Sequence, residues 1–305
     1  MEKRRIIFLV GPTAIGKSEV AVYLAKKLNA EIISCDSMQI YRGMDLITSK
    51  PAKILRKRVG HHLIDIISPA REYNVSKFRK DALKKIQEIG QRGKVPLLVG
   101  GSGLYMSILI DGIFNFESKD ELIRKRLYRL AGLYSSHYLY KRLKVVDPEA
   151  AARVHPNDTK RIVRALEVFE VTGKPISCLQ KSRCGLSEEY EINIFCLNME
   201  REKLYKRIEE RVEKMFANGL IPETKRLLKT KLSKTASYAI GIKELKGHFA
   251  GLYALEEAKR LMKHNTRLYA KRQLTWFRKD KRIIWIRVGN KEAPASVANR
   301  IFQKI

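Results

Sequence analysis

The sequence predicts an α/β protein: a parallel sheet flanked by helices, interrupted by an inserted all-helical domain. Three observations carry this. Short apolar runs alternate with stretches of helical spacing through the first hundred residues, the mark of strand–helix–strand units in a parallel sheet. A loop of the pattern G-x-x-x-x-G-K-[ST] stands between the first strand and the first helix, at Gly11-Pro12-Thr13-Ala14-Ile15-Gly16-Lys17-Ser18. From Phe116 to about Arg183 the chain then reads helical and basic, without clear strands, before strand-like alternation resumes.

Residues 6–10 form an apolar run suited to a buried first strand, and 19–28 carry apolar residues at helical spacing. A second strand is predicted over 31–35, ending at Asp36, and a weaker third over 62–66. Residues 76–89 make an amphipathic helix in which Phe78, Leu83, Ile86 and Ile89 share a face. A fourth strand over 95–99 ends in Gly100-Gly101-Ser102-Gly103; Pro96 is acceptable near its start if no ladder donor is needed there. In open α/β sheets the site lies beyond the carboxyl ends of the strands. Residues 11–18, 36–39 and 100–103 should therefore meet on one rim. In the insertion, 121–133, 138–143 and 160–171 are helix-like, the last closed by Gly173 and Pro175. Residues 190–197 alternate as a returning strand, 202–217 and 255–277 are helices, and 283–286 make a last strand. The expected organisation is a core of residues 1–113 and 190–305, with a helical insertion at 114–189.

Composition narrows the partners. Against 62 Lys and Arg stand 32 Asp and Glu, a net charge of +30, which points to a polyanion, most simply nucleic acid. Eleven Lys or Arg and one acid, Asp280, lie between Lys259 and Arg287. Within that stretch Lys259, Lys263, Arg267 and Lys271 recur every four residues, with Leu261, Leu268 and Leu274 opposite. Lacking acidic partners in sequence, this stripe reads as a phosphate-tracking surface more than a solvated lysine face. No apolar run approaches the length of a membrane helix, and the first residues are too short for a signal peptide. Cys35, Cys178, Cys184 and Cys196 lack zinc-site spacing, so reduced thiols, a cytoplasmic location and no membrane are expected.

The glycine loop points to a phosphate or diphosphate. Its amides and the positive end of the new helix favour an anion, Lys17 adds a charge, and Ser18 offers a hydroxyl to Mg²⁺. Asp36, directly after a strand on the same rim, suits Mg²⁺ through water or a proton-accepting role. It equally suits a helix N-cap, as does Ser37.

The loop and the run Ile33-Ser34-Cys35-Asp36-Ser37-Met38-Gln39-Ile40-Tyr41-Arg42-Gly43-Met44-Asp45 together resemble the bacterial tRNA dimethylallyltransferases, the tRNA isopentenyltransferase family. Further matches keep the family's order: His61-His62-Leu63-Ile64-Asp65, Val99-Gly100-Gly101-Ser102-Gly103-Leu104-Tyr105, Asn157-Asp158 with Arg161 and Arg164-Ala165-Leu166-Glu167, Ala239-Ile240-Gly241-Ile242-Lys243-Glu244, and Tyr269-Ala270-Lys271-Arg272-Gln273-Leu274-Thr275-Trp276-Phe277-Arg278. The resemblance runs from near residue 5 to near residue 280.

It implies a P-loop NTPase-like sheet and transfer of a five-carbon group from dimethylallyl diphosphate to N6 of the adenosine 3′ of the anticodon. By resemblance, residues Gly11 to Ser18 and Arg211 hold the diphosphate with Mg²⁺ on Ser18, ATP being neither substrate nor cofactor. Lys17 and Ser18 assist the leaving group, and Asp36 takes the amine proton. The tRNA anticodon stem-loop is expected to meet Asp36, Ser37, Met38, Gln39, Ser102, Arg124, Lys160, Arg161, Ile162, Val163, Arg164, Ala239, Ile240, Gly241, Ile242, Lys243, Lys271, Arg272, Gln273, Leu274, Thr275, Trp276, Phe277 and Arg278. A monomer is expected. The chain departs from the family pattern at Ile47, where glycine is common, and at Ile242, where tyrosine is usual. Three other readings compete: a small-molecule kinase with an arginine-rich lid, an isopentenyltransferase acting on free adenylate, and a non-catalytic RNA-binding nucleotide switch.

Overall fold

The structure is a computed structural model that describes residues 4–113 and 120–305. Residues 114–119, where the helical insertion is expected to begin, lie outside the described residues. The elements follow in chain order as β1 (Arg4–Val10), α1 (Lys17–Lys27), β2 (Ala30–Cys35), α2 (Lys53–Arg58), β3 (His61–His62), α3 (Val75–Gln91), β4 (Val95–Gly100) and α4 (Gly103–Ile110). Next come α5 (Glu121–Tyr134), α6 (Ser136–Val146), α7 (Pro148–Arg153), α8 (Thr159–Thr172) and α9 (Ile176–Lys181). The chain ends with β5 (Tyr190–Asn198), α10 (Arg201–Ala217), α11 (Leu220–Leu228), α12 (Ile242–Phe249), α13 (Leu255–Phe277), β6 (Ile283–Arg287) and α14 (Pro294–Phe302). It divides into two units: residues up to Ile110 with Glu189–Ile305, and Asp111–Glu188. The sequence pattern sets these seams at 113/114 and 189/190.

The six strands are parallel, in the order β3-β2-β4-β1-β5-β6. β1 is central, and Ile6, Ile7, Phe8 and Leu9 have no solvent exposure. That is why its sequence is a continuous apolar run instead of an alternating one. Leaving β1, the chain moves to β2 on one side; after β4 it crosses to β5 on the other. The glycine loop after β1 therefore sits where the strand order reverses, the place where such sheets bind ligands. Pro96 pairs with Glu31 of β2, while the β1 register begins only at Ile7–Leu97, so the missing donor falls outside that ladder.

The third strand is shorter than expected. Pairing stops at His62 because Leu63 and Asp65 take left-handed backbone (φ 59° and 58°). Asp65 turns its carboxylate onto Lys50 and Arg56 instead. Helix α4 follows directly from the glycine run. Six of its eight residues, including Tyr105, Met106 and Leu109, are buried, so it has no polar face to give a periodic signal. Glu31 on β2 accepts from His62, Arg92 and Lys94. Burial alone would raise its carboxyl, but these bonds outweigh it and bring the group down to about 2.

The unit Asp111–Glu188 has its own core of Leu127, Leu139, Leu143, Ile162, Val163 and Leu166. Glu167 is fully buried there, bound by Arg124 at 2.6 Å and Arg164 at 3.1 Å. Among the described residues no helix is long and apolar enough to cross a membrane.

Candidate active site

Three loops from β1, β2 and β4 meet at the strand ends. The first passes close to β5 at Gly11, where any Cβ would stand 2.8 Å from the Leu197 carbonyl oxygen, so only glycine fits. Lys17 opens α1 and donates from Nζ to the Gly11 and Pro12 carbonyls at 2.9 and 2.8 Å. Burial lowers its ammonium to about 8; Asp36 opposes the shift and Arg211 adds to it. Ser102 joins the other two loops: its N–H donates to Cys35 O at 3.2 Å, and its Oγ accepts from Ser37 N–H at 3.2 Å. Asp36 is not a helix cap. No helix follows it, and Oδ1 accepts from Met38 N–H at 2.9 Å, closing a turn.

Helices α10 and α13 supply the rest. Arg211 on α10 donates to Thr13 Oγ1. Burial pulls its guanidinium down to about 10, against the pull of Asp36, so it stays charged at neutral pH. Arg207, one turn earlier, donates to Ile15 O at 3.4 Å. Arg207, Arg211 and Lys214 all line the same cleft. In the sequence only Arg211 stands out, by the family resemblance, although the 207, 211, 214 spacing puts all three on one helix face. From α13, Tyr269 bonds to Ser102; burial and then the charge of Asp36 push its phenol upward.

Two cavities result. The larger, of about 750 Å³, is lined by residues 13–18, Asp36, Gln39, Arg207, Arg211 and Lys214. The second, of about 310 Å³, has apolar walls from Met38, Ile47, Val212, Met215, Ile240 and Met262. Thr13, Asp36, Thr48, Ser49, Arg211 and Tyr269 line both. Ile47 packs near Gly241, 3.2 Å from where a Cβ would stand, and its backbone N–H is held at 2.9 Å by Glu223 of α11. The isoleucine is thus a wall of the second cavity.

The remaining expected residues separate by exposure. Lys243, Lys271, Arg272, Thr275, Trp276 and Arg278 are exposed; Ser37, Met38, Gln39, Ser102, Ile240 and Leu274 are half-buried. Gln273 and Phe277 are buried, as are Ala239, Gly241 and Ile242. In the helical unit Lys160 and Arg161 are exposed at the start of α8, whereas Ile162 and Val163 face the core. Gln273, Phe277, Ile242, Ile162 and Val163 turn their side chains inward, onto packing or internal bonds. Arg124 and Arg164 are tied to Glu167. The basic stripe is also corrected. Lys259 and Lys263 pair with Glu213, and Arg267 with Glu209, both acids on α10. The buried face of α13 is Ala258, Met262, Thr266, Ala270, Gln273 and Phe277, not the leucine row.

Two family profiles match the chain: IPP transferase over residues 39–280 and isopentenyl transferase over residues 4–56. The chain is 47% identical over 292 residues to a tRNA dimethylallyltransferase of Geobacter metallireducens, covering 95% of this chain and 94% of the relative. To that of Carboxydothermus hydrogenoformans it is 46% identical over 299 residues, covering 97% and 96%. Among solved structures it is similar to the full-length tRNA isopentenylpyrophosphate transferase of Bacillus halodurans, with a TM-score of 0.72, 40% identity, and coverage of 99% and 97%. It is also similar to a eukaryotic dimethylallyltransferase acting on tRNA, with a TM-score of 0.77, 28% identity, and coverage of 93% of this chain and 74% of that one.

Proposed function

The chain belongs to the IPP transferase family and is an enzyme of the tRNA-prenylating kind, and from that premise we propose how its site does the chemistry. The donor is dimethylallyl diphosphate and the acceptor is N6 of the adenosine 3′ of the anticodon. One observation carries the reading: Asp36 stands on the wall shared by the phosphate-loop cavity and the apolar cavity. A group there reaches the amine of a base in one and the reacting carbon of a donor in the other.

The amides of residues 14–18, Lys17 and Arg211 bind the diphosphate and stabilise the charge that grows on it as it leaves. Arg211 carries a buried Nε without a hydrogen-bond partner, a donor that a bound anion satisfies. The base, turned out of its stack, enters the second cavity, whose methionines and Ile240 suit the face of a purine. N6 attacks the first carbon of the allyl group. The N–C bond forms, the C–O bond to diphosphate breaks, and the amine proton passes to the Asp36 carboxylate. The cleft also suits Mg²⁺, since Ser18, Asp36 and Glu210, which are among the residues lining it, carry hard oxygen donors. Ser18 and the diphosphate would hold the ion, which neutralises the leaving group. The anticodon stem-loop is gripped by exposed basic residues such as Lys271 and Arg272 of α13, and the protein acts as a monomer.

The test combines the protein with Mg²⁺, dimethylallyl diphosphate and unmodified tRNA, followed by nuclease digestion and mass spectrometry. A five-carbon adduct on the adenosine beside the anticodon is expected. Asp36→Ala is expected to lower the transfer rate by about 10²–10⁴ while tRNA binding stays within a few-fold. Consumption of ATP with a small alcohol, and no adduct, would replace this reading with the kinase.

A further inference from the structure

We propose that Gln273 is a positioning residue that fastens the RNA-facing helix α13 to the donor loop through Thr13. The inference rests on the function proposed above. Gln273 is only 6% exposed. Its Oε1 accepts from Thr13 N–H at 2.9 Å, and its Nε2 donates to Gly101 O at 2.9 Å. One side chain thus bridges the loop after β1 and the loop after β4. Thr13 is a junction in turn: its N–H is held by Gln273 and its hydroxyl by Arg211. The contact is tight from both sides, because a Cβ on Gly101 would lie 2.1 Å from Gln273 Nε2.

An amide is the side chain this place demands. It must accept at one end and donate at the other, which leaves no role for a carboxylate: its second oxygen would face the Gly101 carbonyl. The Thr13 N–H is committed to Gln273 and is not a diphosphate ligand. The same turns of α13 present Lys271, Arg272, Thr275 and Trp276 outward. Trp276 also rests on Gly103, where a Cβ would lie 2.2 Å from its Cδ1. RNA held by the outer face and a diphosphate held by the loop therefore act on one rigid element, and whatever coupling joins them is reciprocal.

The experiment measures donor KM, kcat, RNA affinity, and pyrophosphate affinity with and without an anticodon stem-loop. The proteins are the wild type, Gln273→Glu, Gln273→Ala, Gly101→Ala and Gln273→Ala/Gly101→Ala. Each single variant is expected to raise donor KM about tenfold with RNA affinity within about threefold of wild type. Gly101→Ala is expected to add nothing in the Gln273→Ala background, since its clash is with the missing side chain. The wild type is expected to bind pyrophosphate more tightly with RNA present, and Gln273→Ala is expected to remove the difference. Thr13→Val keeps the backbone bond, loses the hydroxyl, and reproduces the donor-KM signature whether or not the α13 variants fold. Loss of RNA affinity with unchanged donor KM would make Gln273 an RNA contact and overturn the proposal. So would a uniform fall in kcat, both affinities and melting temperature, or an unchanged donor KM in Thr13→Val. A wild type that makes no prenylated adenosine would instead overturn the proposed function.

Discussion

In the open cleft Lys17 titrates near 8 because burial disfavours its charge. A diphosphate prefers the charged ammonium, so donor binding above that pH must take up a proton. Below about pH 8 Lys17 is already charged and donor kcat/KM is expected to be flat on its account. Above it, kcat/KM is expected to fall about tenfold per pH unit, whereas kcat stays level because the bound anion holds the proton on. Lys17→Arg is expected to carry charge throughout and abolish the break, at the cost of a lower plateau. A profile through about pH 9.5 with no break in the wild type would mean that Lys17 stays charged for another reason.

At the level of elements, α10 and α13 meet along a seam of opposite charge, with Glu209 and Glu213 facing Arg267, Lys263 and Lys259. These pairs are partly exposed and contribute little stability individually. Their meaning for function is that three cations once countable toward RNA are engaged within the protein. Replacing Lys263 and Arg267 by Gln is expected to change tRNA affinity less than about twofold, with a stability cost below about 1 kcal/mol. Replacing Lys271 and Arg272, both exposed and the latter lining the second cavity, is expected to weaken binding and to lower the salt slope by about one unit for each RNA phosphate that is no longer neutralised. Binding titrations at several salt concentrations distinguish the two pairs. Equal losses would show that the α10 acids release the stripe to RNA.

The whole molecule carries +30, far beyond what a diphosphate needs. A grip on about six to ten RNA phosphates would cut affinity by about 10³–10⁵ between roughly 50 and 200 mM salt. That steep dependence is the expected result for tRNA, measured by equilibrium binding; a nearly flat dependence would mean that the charge serves another purpose. The helical unit has a core of its own and a fully buried Glu167 neutralised by two arginines. Its basic residues are therefore displayed on a folded scaffold.

The parallel sheet, the glycine loop and the three-loop rim were legible in the sequence because each rests on local chemistry. A strand buried on both faces is a continuous apolar run, and a phosphate loop needs its glycines and lysine at set spacing. Asp36 could be placed on that rim, yet a helix N-cap and a site carboxylate were indistinguishable there, and only the fold shows that its short-range bond closes a turn with no helix behind it. Helix α4 left no trace because six of its eight residues are buried and no polar face remains to show a period. The stripe on α13 was visible, but the acids that hold Lys263 and Arg267 lie some fifty residues away on α10, and only packing of the two helices joins them. Gln273 stood in a stretch that read as RNA-binding; folding turned it inward onto Thr13 and Gly101. What the sequence by itself determined was the chemistry available at the strand ends. The tertiary structure alone decided which of those groups face a ligand and which are held by one another, because partners distant along the chain are chosen by packing.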